Sequence, residues 1–93
     1  VSAEIQAVVR QHLDDEFMFM RPDLVLDDQL DLLGEGILDS IGILRVTAFI
    51  EDAFSVVLGP SDLISENFRD LGTIVAVIVA ASSRGQADRP AES

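Results

Sequence analysis

The chain has no cysteine, no lysine, no tryptophan and no tyrosine. Without cysteine it has no disulfide, no thiolate nucleophile and no cysteine metal site. Five phenylalanines are the only aromatics, so the core must be mostly aliphatic. No run of 18 uninterrupted apolar residues occurs, which argues against a membrane-spanning helix. The first residues lack a basic stretch followed by an apolar one, so no signal peptide is visible and a cytoplasmic location is the expectation. Positive charge is also scarce: six arginines stand against 17 acids, for a net charge of −11. Such a chain repels nucleic acid and anionic membranes and attracts a basic protein surface.

What is present suits one small domain. Ninety-three residues, 48% of them hydrophobic, can bury a single core. The acids are concentrated: Asp14, Asp15, Glu16, Asp23, Asp27, Asp28, Asp31, Glu35 and Asp39 share their stretch with Arg21 alone. Ile5, Val8, Val9 and Leu13 fall at helical spacing, with Phe17 continuing the face, and predict a helix over 3–16 that Ser2 can cap. His12, the one histidine, lies on that helix's flank with no base–nucleophile pair in view, which makes it a surface residue rather than a catalyst. Residues 17–20 continue the apolar signal and should close one end of the core before Arg21-Pro22 breaks it.

Residues 23–38 read as a long loop, pinned by Leu24, Leu26, Leu30, Leu32 and Leu33. Asp27, Gln29 and Asp31 alternate as in the start of an EF-hand. Leu32 stands where that loop needs Gly and Leu38 where it needs Glu, so a calcium site is rejected and no metal is expected. Asp39 or Ser40 caps a second helix running to Phe54. Ile43, Val46, Thr47, Ile50 and Phe54 form its core arc, and Ile41, Arg45, Ala48 and Asp52 its outward stripe. Leu44 and Phe49 fall on the flanks, where partial burial is expected. An extended segment follows. Leu63, Ile64 and Phe68 should turn inward around a short helical turn within 61–67. Asp70 can cap a last helix over 71–81, although TIVAVIVA is β-branched enough to read as a strand. Residues 82–93 are small and polar and predict a disordered tail.

Gly36-Ile37-Leu38, then Asp39-Ser40-Ile41, an amphipathic helix ending in Phe54, and the closing ENFRDLGTIVAVI together resemble acyl carrier proteins and peptidyl carrier domains. The resemblance spans roughly residues 4–81, with residues 1–81 as the domain. It implies an all-α, four-helix bundle with a long first loop and a short third helix. It implies that Ser40 carries 4′-phosphopantetheine taken from coenzyme A, and that the protein is a carrier and not an enzyme. Ile41-Gly42 after the serine, with Arg45 and Ala48 in the outward stripe, is closer to stand-alone aminoacyl carriers than to fatty-acid carriers. The implied partners are a phosphopantetheinyl transferase, an adenylate-forming acyl or aminoacyl ligase, and a downstream acyltransferase or synthase. They would meet a monomer at Glu35, Asp39, Ile41, Arg45, Ala48, Glu51 and Asp52. The residues alone also allow a small acidic interaction module in which Ser40 is only a helix cap and no prosthetic group is present.

Overall fold

A chain whose apolar residues recur every three to four positions buries them by packing helix on helix. The computed structural model, which describes residues 2–92 and side chains over residues 3–83, does so with α1 (Ser2–Glu16), α2 (Ser40–Phe54) and α3 (Leu71–Glu92). Short 3-10 turns lie at Met18–Met20 and Ser65–Phe68, and the described residues contain no strand. Among the described residues the architecture is all-α with three α-helices. Where a short third α-helix was expected, the four-residue turn Ser65–Phe68 stands instead. Asp70 starts the next helix too soon for a second turn to form, and one turn alone is a costly nucleus.

α1 packs chiefly on α3. Ile5, Val9 and Leu13 form a buried i, i+4 stripe, facing a core that Leu71, Ile74, Val77, Ile78 and Ala81 share. Val8 was expected in this stripe but is exposed. It lies on the edge of the arc, beside the groove lined by His12 and Phe49. TIVAVIVA is helical, not a strand: Asp70 Oδ1 accepts from Thr73 N at 2.8 Å, and Thr73 Oγ1 accepts from Asp70 N at 3.1 Å. This reciprocal pair satisfies two donors at the helix start, one of them otherwise an orphan. The helical assignment runs beyond Ala81, the expected end, to Glu92. The stretch between carries no residue that forces a stop before Pro90. The tail expected over 82–93 falls almost wholly outside the described side chains, as does capping by Ser2.

The apolar run 17–20 divides unexpectedly. Met18 is buried and Phe17 half-buried, but Phe19 and Met20 point outward. Three consecutive residues of a tight turn cannot all face one side. Leu63 and Ile64 also stay exposed, and only Phe68 of that group is buried.

The long loop is anchored rather than loose. Leu26 and Leu32 are buried, and Leu24, Leu30 and Leu33 half-buried, as expected. Leu32 N donates to Arg69 O at 2.7 Å, and Gly72 N to Asp28 O at 3.3 Å, tying the loop to the start of α3. The Arg10 guanidinium donates to Leu26 O and to Asp28 Oδ1. Arg21 donates to Glu35 O at 2.8 Å and pairs with Asp23 at 3.1 Å. The Asp23 carboxyl is held below its ordinary range, first by the hydrogen bond from Arg21. The Arg21 guanidinium is correspondingly held more firmly protonated, first by that same bond.

Candidate functional site

The serine expected to carry chemistry sits at the first residue of α2, and the loop delivers it there by specific turns. Asp31 Oδ1 accepts from Gly34 N at 2.9 Å, and Ile37 N and Leu38 N both donate to Leu32 O. Gly36 has φ +74°, the left-handed region that glycine enters without steric cost. Leu38 is buried and fixes the last residue before the site. Asp39 is the cap. Its backbone is extended, and its Oδ1 accepts from Gly42 N at 2.7 Å. Of the two candidates for the cap, the aspartate holds the role and the serine does not.

Gly42 makes this close packing possible. A Cβ there would lie 3.2 Å from Leu38 Cδ2, 3.3 Å from Asp39 Oδ1 and 3.4 Å from Phe17 Cε1. Any side chain would press on the cap, the anchor and the end of α1 together.

Ser40 itself is exposed, and its hydroxyl makes no hydrogen bond to a described residue. The N–H groups of Ser40 and Ile41 have no acceptor within the helix. An oxygen on Ser40 therefore sits at the positive end of the helix dipole, open to a reacting partner. No His or Lys flanks it, so the serine has no base of its own. The arrangement suits a serine that accepts a phosphoryl-linked group under another protein's catalysis. A covalent phosphodiester fits here: the attachment atom is free, two amides favour an anion, and the Asp39 carboxylate is engaged with Gly42.

Around it, Ile41, Arg45, Ala48 and Asp52 are all exposed on the outward stripe. Ile41 is 65% exposed, and Leu44, one helical turn on, is 59% exposed. Leu44 was expected to be partly buried. It extends the apolar surface beside Ser40 instead, because α1 covers the other flank, at Phe49. Arg45 is less free than its exposure suggests: Nη2 lies 2.9 Å from Glu16 Oε1, and the guanidinium carbon lies 5.6 Å from the centre of the Phe17 ring. Glu35 pairs with Arg21 at 3.5 Å. Glu51 is half-buried. Its Oε2 accepts from Leu58 N at 2.9 Å, fastening the segment after α2. That segment turns away through Ser55 at φ 55°, a left-handed end usually made by glycine.

One constellation has no signal in the sequence. His12 stacks on Phe49, centroids 3.8 Å apart and planes 7° from parallel, and Phe17 meets the imidazole edge-on at 6.3 Å. Its Nε2 is buried with no hydrogen-bond partner among described residues. The imidazole pKa is lowered, first by desolvation, with Arg45 adding to this and Glu16 and Asp15 opposing it. So His12 is not a free surface residue; it clamps α1 to α2. With Ala7, Val8, Gln11, Asp15 and Phe49 it lines a groove of roughly 410 Å³. Phe49 lies nine residues along α2 from Ser40, about 13 Å at 1.5 Å per residue, so this groove is not the serine site.

No family model and no characterised protein matches the chain in sequence.

Proposed function

We propose that the protein is a carrier that holds an acyl or aminoacyl group as a thioester on 4′-phosphopantetheine attached to Ser40. The observation that carries this reading is the division of labour at the start of α2. Asp39 holds the helix, while the neighbouring Ser40 is exposed with its hydroxyl free of described partners. The order Asp-Ser-Ile and the long anchored loop before α2 support the reading, although a 3-10 turn stands where a carrier's short third helix was expected.

In this reading the chain performs no catalysis. Ser40 Oγ would attack the pantetheine-bearing phosphorus of coenzyme A, its proton passing to a base of the transferase, the pyrophosphate bond breaking and adenosine 3′,5′-bisphosphate leaving; the transferase also supplies the metal. The attached arm contributes the thiol that a cysteine-free chain lacks. Asp39 and Gly42 fix the direction in which the arm leaves the surface. Ile41 and Leu44 offer an apolar contact to an adenylate-forming ligase or a downstream acyltransferase, with Asp39, Glu35 and Asp52 as charges near it. Ile41-Gly42 and the Arg45/Ala48 stripe favour an aminoacyl cargo over a fatty acyl one.

The test is intact mass after incubation with coenzyme A and a broad-specificity phosphopantetheinyl transferase. The native chain should gain one phosphopantetheinyl group and Ser40→Ala none. No gain on the native chain returns the protein to an acidic interaction module without a prosthetic group, and a gain that persists in Ser40→Ala overturns Ser40 as the attachment site.

A further inference from the structure

We propose that Phe19 and Met20 form a docking surface for the basic transferase that modifies Ser40, separate from the outward stripe of α2. The proposal rests on the carrier reading.

The two side chains are 67% and 71% exposed, and Phe19 is the most exposed of the five phenylalanines. They contribute little to the core, which the neighbouring Met18 and Phe17 serve instead. Phe and Met are the residue types that dominate protein interfaces, because each buries a large apolar area on contact. The turn that presents them is held at both ends. Before it, the Phe17 ring lies against Gly42 in the first turn of α2. After it, Arg21 N donates to Met18 O at 2.9 Å, and the Arg21 side chain donates to Glu35 O. One end therefore rests on the helix that Ser40 begins, and the other on the loop that leads into Ser40. The turn is thus joined at both ends to the two elements that meet at Ser40.

Charge selects the occupant. Asp14, Asp15 and Glu16 precede the pair and Asp23 follows it, and all four are exposed. The nearby cations are paired, Arg21 with Asp23 and Glu35 and Arg45 with Glu16, so five acids stand against two cations here and Asp14 and Asp15 carry the excess. An apolar tip in an acidic surround fits an apolar pocket rimmed by lysines or arginines. A second copy of this chain brings −11 of its own and is repelled.

The experiment measures transferase kinetics on the native chain, on Phe19→Ala/Met20→Ala, and on Val57→Ala, an exposed residue beyond the opposite end of α2. Melting curves accompany each. The double variant should melt like the native chain, reach the same final mass, and show KM raised about tenfold, ~1.4 kcal/mol, with kcat unchanged. Val57→Ala should stay within about twofold of native, since an isolated exposed valine away from the docking surface has no partner to lose. An unchanged KM for the double variant overturns the proposal and leaves the carrier reading intact. A native chain that accepts no group overturns both. A native dimer in sedimentation that Phe19→Ala/Met20→Ala dissolves assigns the surface to self-association and overturns it as well.

Discussion

Exchanging Asp39 and Ser40 for alanine, one at a time, separates structure from chemistry at the start of α2. Asp39 Oδ1 takes the Gly42 N–H at 2.7 Å, and that N–H has no acceptor inside the helix. Asp39→Ala leaves it without its partner in a partly buried place. Loss of such a cap costs about 0.5–2 kcal/mol, typically ~1. For a domain this size each kcal/mol lowers Tm by about 4–8 °C. Ser40→Ala removes an exposed hydroxyl bonded to nothing described, so it should stay within about 0.5 kcal/mol of native. Thermal melts by circular dichroism, with urea titrations for the free energies, read both. Asp39→Ala should melt ~4–8 °C lower and still accept phosphopantetheine. Ser40→Ala should melt like native and accept none. If Ser40→Ala proves the more destabilised of the two, the serine is the cap and the assignment at this helix start is refuted.

Two further outcomes follow from contacts away from the serine. Glu51→Ala leaves the Leu58 amide without its carboxylate and should cost about 1–3 kcal/mol in chemical denaturation, against almost nothing for the exposed Asp52→Ala; equal, small losses would mean that the Glu51 bond is not made in solution. The His12 pKa lies below its unfolded value of 6.5, so between the folded pKa and 6.5 the unfolded chain binds more protons. The clamp's stability is therefore full above pH 6.5 and lost as pH falls through that window, and native Tm should drop more between pH 7.5 and 5.5 than that of His12→Phe, which keeps a stacked ring but cannot titrate. Parallel pH profiles for the two proteins would remove this role.

The serine helix was legible because its periodicity and its caps agree. Val46, Thr47 and Ile50 are buried and Ile41, Arg45, Ala48 and Asp52 exposed, as the 3.6-residue period requires. Asp70 as a cap was also readable, and together with the length of the apolar pattern and the carrier resemblance it favoured helix over strand for a β-branched run. The flanks were not legible. Periodicity gives the centre of an arc, but its width depends on the neighbour's position. Val8 and Leu44 sit at such margins, and both stay in solvent because α1 meets α2 through the His12–Phe49 stack. Nothing in the local sequence pairs residue 12 with residue 49. The loop's arginine ties were hidden likewise: Arg10 belongs by spacing to α1 and by contact to Leu26 and Asp28. The short apolar runs failed for another reason. Over two to four residues there is no period to read, so Phe19-Met20 and Leu63-Ile64 look like core and are surface.

The placement of the serine follows from these limits. A serine that caps its own helix would point its oxygen back at the first-turn amides, and derivatising that oxygen would disturb the helix that presents it. Here the capping bond, the buried anchor at Leu38 and the close approach at Gly42 all lie on residues flanking Ser40. Each can hold whatever becomes of the hydroxyl. The loop of residues 23–38 adds the second half of the arrangement. It is long, acidic and without regular structure, yet it is tied to α1 by Arg10 and to α3 through Leu32 and Gly72. Its acids face water while its leucines are buried or half-buried, so it contributes surface charge beside the serine from an anchored backbone. Anchored backbone on both sides of an exposed hydroxyl is what the proposed modification by a separate enzyme requires, so that the same atom is presented on every encounter.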